Sequence, residues 1–495
     1  MLTYSFSETS KISLYEQLYH YIKDDILCGA LNCGDKLPSK RSFAKHLNIS
    51  TITIENAYAQ LLAEGYLYSI PKKGYYVSDI TELTVFAPAV SRKTPEPFSR
   101  HAEDCGLSNS CGASSPYDVS ANTSVLQQNP SAPPVFADFI SNQTCADQFP
   151  FATWARLMRQ VIAEKSTELM TNPPSGGILE LRQAIAGHLQ QFRGMEVRPE
   201  QIIVGAGTEY LYGLLIQLFG HDKIYGVENP GYMKIARIYE MSRVQTRYIS
   251  MGSSGIHMRE LEESQADIMH LSPAHHFPTG IVTSVSRRRE ILNWASEREG
   301  RYIIEDDYDC EFRLMGKPIR SLQSMDKAGR VVYMNTFTKS LSSTIRISYM
   351  VLPEELLAQF HARLGFYSAT VSNFEQYTLA KFIKKGYFEK HINRMRKYYR
   401  NQRDALLSCI KKSPLSSCVT ITEKDAGLHF LMHIESDLSE ETIRQNALQK
   451  GIRLASLSQF YHGEKPVSGA AFIINYSAIQ PERLDEAIHL LSQCI

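Results

Sequence analysis

Lys339 follows an apolar run, "VVYMNTF", sits among Thr336, Thr338, Ser340, Ser342 and Ser343, and precedes Arg346. A lysine drawn partly out of water beside a second cation has a lowered pKa and keeps more free amine, which is the form that condenses with an aldehyde. Earlier in the chain "IIEDDYDCEFR", residues 303–313, reads as another β-branched strand whose end delivers Asp306 and Tyr308. Amine, acid, phenol and cation are what pyridoxal phosphate (PLP) requires. The amine forms a Schiff base with the aldehyde, the acid holds the pyridine nitrogen protonated, the phenol meets the ring oxygen and the cation holds the phosphate. Most lysines are solvated surface charges, and the run Glu305-Asp306-Asp307 could instead bind a metal. Consecutive carboxylates at a strand end cannot all face one ion, so the cofactor reading is preferred.

Further stretches supply groups of the same kind. After an apolar run at 201–204 comes "GAGTEYLYGLLIQL", a glycine turn opening a helix. Helix-start N–H groups with Gly207 and the Thr208 hydroxyl make a phosphate seat. A dinucleotide fingerprint would need a third glycine where Tyr210 stands. "ENPGY" offers Tyr232 to stack on a flat ring, and "SPAHHFPTG" offers His275 and His276 in a turn. The plain alternative for both is a Pro-Gly turn with a buried aromatic. Adjacent histidines point apart and have no third ligand at suitable spacing, so no metal site is expected. His429 and His433, in "GLHFLMH", read as core or interface histidines.

These residues need a scaffold. Short apolar runs at 202–204, 224–227, 268–271, 302–304 and 331–334 alternate with helical patterns, which predicts a mainly parallel sheet covered on both faces. Ligands of such sheets bind at the carboxyl ends of the strands, where the candidate residues fall. A final α+β region from about residue 370 to 495 is expected to form a smaller lobe.

The first 79 residues read differently. An amphipathic helix over 13–30 carries Leu14, Leu18, Tyr21, Ile22, Ile26 and Leu27. Ser39 caps a short helix, residues 48–50 make a tight turn, and a third helix over 51–64 buries Ile54, Ala57, Leu61 and Leu62. This is a helix-turn-helix outline, followed by a hairpin whose tip carries Lys72, Lys73 and Gly74. Eight Lys and Arg balance eight Asp and Glu over residues 1–79, yet the stretch 36–54 holds Lys36, Lys40, Arg41 and Lys45 and no acid. Such a patch suits DNA phosphates, with Ser39, Ser50, Thr51 and Thr53 placed near base edges or backbone. The alternative is a small solvated helical bundle. Residues 80–135 are rich in proline, serine and asparagine without periodicity, and read as a flexible linker spanning about 40 Å as a coil.

With 53 Lys and Arg against 52 Asp and Glu the chain is no globally basic nucleic-acid coat. Its nine cysteines, an odd number without a C-x-x-C pair, argue against a disulfide framework or a structural zinc. No long apolar run and no leader-like N-terminus occur, so neither a membrane span nor a signal peptide is expected, and a cytoplasmic location is.

Residues 34–77, with Pro38, Ser39, Arg41, Thr53 and Gly74, resemble the winged helix of GntR-type bacterial regulators. That family often has arginine after the turn serine, whereas Thr51 stands here. From Phe136 onward the chain resembles the fold-type-I aminotransferases, supported by "FPFATWARLMRQV", "GGILELRQAIAGHLQQFRG" and "VTSVSRRREILNWA". The two together look like the MocR/GabR family of PLP-dependent transcription regulators. The resemblance implies a winged-helix DNA-binding domain at 1–79, a linker at 80–135, and at 136–495 an α/β aminotransferase-like domain with a smaller α+β lobe.

It also implies roles. Lys339 would carry the Schiff base, Asp306 would pair with the pyridinium, Tyr308 would meet the ring oxygen and Tyr232 would stack. His276 falls at the family's usual glutamine, and Gly207, Thr208, Thr336, Thr338 and Arg346 would hold the phosphate. A homodimer with DNA-binding heads crossing to the partner is implied, with double-stranded operator DNA and a small amino compound as ligands. Two departures stand out. Ile473 occupies the place of the usual substrate-carboxylate arginine, for which Lys234 or Arg453 could substitute, and no partner-facing tyrosine is evident at 170–174. The leading expectation is a regulator sensing PLP or an amino compound at Lys339. The competitors are a working aminotransferase with a fused head and a vestigial fold kept only for dimerisation.

Overall fold

A computed structural model describes residues 4, 6, 12–70, 73–78, 135–141, 144, 146–314, 319–463 and 469–495. Lys72 and all but the last residue of the expected linker lie outside them, as do Cys105, Cys111 and Cys145.

The N-terminal unit is three helices and a hairpin: α1 (Leu14–Leu27), α2 (Lys40–Leu47), α3 (Thr51–Ala63), β1 (Leu67–Ile70) and β2 (Gly74–Val77). Leu18, Ile22 and Ile26 recur at helical spacing and meet Phe43, Ile54, Leu61 and Val77 in one core. Ser39 Oγ accepts the Ser42 N–H and Ser50 Oγ accepts the Thr53 N–H, so both turn serines are helix caps. Asn48, at φ 51°, ends α2 in the left-handed region. The hairpin pairs Leu67 with Val77 and Ile70 with Gly74. A buried polar cluster ties α1 to the end of α3: Lys23 donates to the Tyr19 hydroxyl at 2.7 Å, and Tyr19 and Gln60 donate to the Glu64 carboxylate.

The C-terminal part is built on an eight-stranded sheet in the order β4-β11-β10-β9-β8-β5-β6-β7. Its strands are β4 (Ile202–Gly205), β5 (Ile224–Asn229), β6 (Gln245–Gly252), β7 (Gly255–Ile256), β8 (Ile268–Leu271), β9 (Tyr302–Asp306), β10 (Val331–Thr336) and β11 (Ser348–Val351). The five central strands run parallel, and β11, β4 and β7 are antiparallel to their neighbours. Burial on both faces is why β5, β8, β9 and β10 are largely apolar runs. Along β10 Val332 and Met334 face one core, while Tyr333 faces another. Sequence periodicity missed β6, which is polar and half-exposed, and β11, which begins directly after the segment bearing Lys339 and Arg346.

The smaller lobe holds a four-stranded antiparallel sheet of β12 (Val419–Thr422), β13 (His429–Ile434), β16 (Ala470–Asn475) and β15 (Ala455–Ser456). It also takes in β3 (Ala137–Asp138), which pairs in parallel with β14 (Ile452–Arg453). The helix Asn373–Lys384, which the sequence assigned to the lobe, shares a core with Leu157, Leu181 and Val204 of the large domain.

The head rests on the large domain of its own chain. Val285, first residue of the helix Val285–Glu297, joins the head's core, and its N–H donates to the Glu64 carbonyl at 3.1 Å. Gly65, at φ 78°, lies so close to Ser284 that an added Cβ would stand 3.1 Å from the serine's own.

Candidate cofactor site and DNA-binding head

Strand ends place the catalytic candidates. β9 and β10 are parallel neighbours with Asp306 opposite Met334, so Asp306 and Thr336 emerge at the same edge of the sheet. Asp306 is 5% exposed, and its Oδ2 accepts a short hydrogen bond from Tyr212 and lies 3.7 Å from His270 Nε2. His270 is held in turn by the Tyr239 hydroxyl at 2.6 Å from Nδ1. Asp306 Oδ1 is buried with no partner, which is the position a protonated ring nitrogen would fill.

Lys339 lies in the single turn of helix Phe337–Ser340 that closes β10, capped by Thr336. Burial pushes its amine down to about 8, with Asp309 opposing and Lys234 adding to the shift. Thr336 and Thr338 hydroxyls are linked at 2.8 Å, and Ser348 donates to Thr336 at 2.8 Å. Across from them Gly207, at φ 92°, precedes the helix Thr208–Phe219, and an added Cβ there would strike the Arg346 guanidinium. Free helix-start N–H groups, threonine hydroxyls and Arg346 thus converge as an anion seat. Tyr232 is 39% exposed and meets Phe277 edge-on at 5.7 Å.

The two turn histidines part company. His276, expected at the cofactor, is fully buried, with Nδ1 2.7 Å from Thr279 Oγ1 and Nε2 3.5 Å from Glu228. Burial lowers His276 to about 3 and raises Glu228 to about 8, so both groups are pushed toward their neutral forms. His275 instead has Nδ1 3.2 Å from the Tyr308 hydroxyl and 2.8 Å from Asp309 Oδ2. Its ring lies 4.7 Å from that of His429, and an added Cβ at Gly427 would overlap it. His429 Nε2 is 3.2 Å from the Pro278 carbonyl, which makes it a contact between lobe and turn, whereas His433 reaches Thr422.

The neighbouring carboxylates have other work. Glu305 accepts the Leu322 and Gln323 N–H groups, and Asp307 takes Arg193 at 2.5 Å and Tyr333 at 2.8 Å. Among the described residues no group of three His, Cys, Asp or Glu is arranged to hold a metal. Arg193, Tyr212 and His270 went unassigned in the sequence, and His275 was singled out in its turn without a role. Their only signals were a long polar side chain at a helix end or an apolar strand, and these do not say which acid lies opposite. Neither suggested carboxylate cation is free: Lys234 binds Glu209 at 2.6 Å, beside Arg346, and Arg453 binds Asp138 at 2.8 Å. Ile473 is 3% exposed and pairs with Leu431 and Ala455.

On the head, Thr51 is exposed at the start of α3, whereas the Thr53 hydroxyl is taken by Ser50 Oγ at 2.9 Å. Lys40 is paired with Glu55 at 2.7 Å, and Arg41 and Lys73 are exposed. Gly74, at φ 119°, packs on the Lys36 side chain.

Residues 136–491 match the model of aminotransferase class I and II, and residues 14–77 match that of bacterial regulatory proteins, gntR family. The chain belongs to the aminotransferase class I and II family, carried behind a gntR-family winged helix. It is similar to the uncharacterized HTH-type transcriptional regulator YdeL of Bacillus subtilis, at 35% identity over 98% of this chain and 97% of that protein. It is also 30% identical to the probable rhizopine catabolism regulatory protein MocR of Rhizobium meliloti, over 97% of this chain and 93% of the relative. A multiple substrate aminotransferase from Thermococcus profundus shares the fold, with TM-score 0.65 at 22% identity over 74% of this chain and 92% of that one. Pyridoxal phosphate is the cofactor this fold implies, and the orphaned Asp306 oxygen, the lowered Lys339 amine and the Gly207–Arg346 seat fit it.

Proposed function

We propose that the protein is a DNA-binding transcription regulator whose C-terminal domain senses PLP, or an amino compound presented to it, through Lys339. When bound, the cofactor supplies an aldehyde able to take up primary amines. Lys339 provides the competing amine, Asp306 holds a positive ring nitrogen with Tyr212 and His270 behind it, and Tyr308 donates toward the ring oxygen. Thr208, Thr336, Thr338 and Arg346 would anchor the phosphate and Tyr232 would cover the ring, and a ligand carboxylate would have to draw Lys234 from Glu209 or Arg453 from Asp138.

The observation that carries the regulatory reading is the continuity between this site and the head. The segment from Ser272 to Val285 bears His275, which meets Tyr308, and ends at the N–H that donates to the Glu64 carbonyl. Buried Arg288 braces the segment by donating to the Pro273 and Thr283 carbonyls at 2.6 and 2.9 Å. A ligand that shifts Tyr308 and His275 moves the shelf on which the head rests, and it regulates to the extent that it prefers one head position. The protein is read as a cytoplasmic homodimer on a double-stranded operator. In a homodimer the same shelf can be met by the head of its own chain or by that of the partner.

The test is operator binding by purified full-length protein with and without PLP and a panel of amines, alongside Lys339→Ala. A response to PLP or an amine that the variant lacks supports sensing. Binding indifferent to every compound refutes it, and steady keto-acid production from an amino donor would move the reading to a working aminotransferase.

A further inference from the structure

At the start of α3 the polar side chains are mostly committed. Ser50 and Thr53 hydroxyls bond each other at 2.9 Å and Ser50 also caps the helix, while Lys40 and Glu55 neutralise one another at 2.7 Å. Thr51 and Ile52 remain uncommitted, both exposed, with Ile52 68% open to solvent. The other isoleucine of that turn, Ile54, is wholly buried in the head's core. Ile52 is therefore not a core residue that has slipped outward; it stands on the helix face turned away from the core.

The first residues of a recognition helix are those that reach base edges in the major groove. Guanine is read there by Arg or Lys, and adenine by Asn or Gln, whereas thymine alone presents a methyl group. The first turn of α3, Thr51 to Ile54, offers no cation and no amide; of its two outward side chains Ile52 is wholly apolar and Thr51 carries a methyl group beside its hydroxyl. The surrounding Lys36, Arg41, Lys45 and Lys73 are exposed and suited to phosphates, which bind without reading sequence.

We propose that Ile52, with the Thr51 methyl beside it, reads thymine through its C5-methyl group, so that each operator half-site carries a thymine under the start of α3. The inference rests on the head being a DNA-binding unit and goes beyond it to base choice. Burying one methyl against Ile52 corresponds to about fourfold in affinity per half-site.

The experiment selects binding sequences for the full-length protein from a random duplex library, then replaces each enriched thymine in turn with deoxyuridine, which removes only the methyl. The expected result is one position per half-site, or two adjacent ones, at which deoxyuridine weakens wild-type binding about fourfold, while Ile52→Ala binds thymine DNA more weakly and no longer distinguishes the two bases. Because Ile52 is exposed, the thermal midpoint of the variant should match wild type, which separates lost contact from lost fold. Full tolerance of deoxyuridine, or an Ile52→Ala variant as sensitive to it as wild type, overturns the proposal. A library with no enriched sequence overturns both this inference and the sequence-reading head on which it rests.

Discussion

Burial of Lys339 yields a pH dependence that can be worked out before any cofactor is added. The amine is brought from an ordinary value of 10.5 to about 8. At pH 7 a lysine with a pKa of about 8 is roughly one-tenth unprotonated, against roughly one part in three thousand at the ordinary value, a gain of about 300-fold in reactive amine. A lysine of lower pKa is also a weaker nucleophile, so the net acceleration is smaller, but the shape of the profile is unaffected. For a cation whose folded-state pKa is depressed, the burial penalty is full below the folded pKa and gone above the unfolded one. The free amine therefore accumulates as pH rises toward 8 and saturates beyond it. Stopped-flow absorbance on mixing cofactor-free protein with PLP between roughly pH 6 and pH 10 measures this. The log of the loading rate should climb with unit slope, bend near pH 8 and flatten, and Lys339→Ala should show no such phase. A rate still climbing with unit slope beyond pH 9.5 would refute the desolvation argument.

Other outcomes follow from the same geometry. Arg346→Ala should weaken PLP binding while leaving the affinity for pyridoxal, which lacks the phosphate, unchanged; equilibrium titration of both compounds decides it. Asp306→Asn should lose a charge-assisted bond to the ring nitrogen worth about 1.5–3 kcal/mol, roughly 10- to 150-fold in retained cofactor on dialysis. Arg193→Ala leaves Asp307 buried without its cation, held only by the Tyr333 hydroxyl, so stability should fall by about 3–5 kcal/mol, visible as a lower thermal midpoint without cofactor. Gly427→Ala places a methyl group in the space of the His275 ring, and should disturb Tyr308 and shift the absorption maximum of the loaded protein.

How much of this was legible in the sequence depended on whether the signal was local. The helix-turn-helix was, because Ser39 and Ser50 are caps whose partners lie three residues away. The placement of Asp306, Thr336 and Lys339 was legible for a similar reason: Asp306 and Thr336 end apolar strands, Lys339 follows in the turn that closes the second, and parallel strands bring their ends to one edge. The Gly207 turn before Thr208–Phe219 was legible because glycine and a helix start together announce an anion seat.

Tertiary structure decided whatever depended on a partner distant in sequence. Nothing local tells His275 from His276, yet one meets Tyr308 and Asp309 while the other is enclosed between Thr279 and Glu228. Tyr212 behind Asp306 and Arg193 under Asp307 come from helices far upstream, and their hydrogen bonds exist only once the sheet has ordered its strands. Lys40 and Thr53 read as ligands for DNA, and only the fold shows that without DNA they engage Glu55 and Ser50 while Ile52 stands open. A sequence determines which groups are available and which element carries them. Only packing sets which of those groups spend their hydrogen bonds on each other and which are left for a ligand.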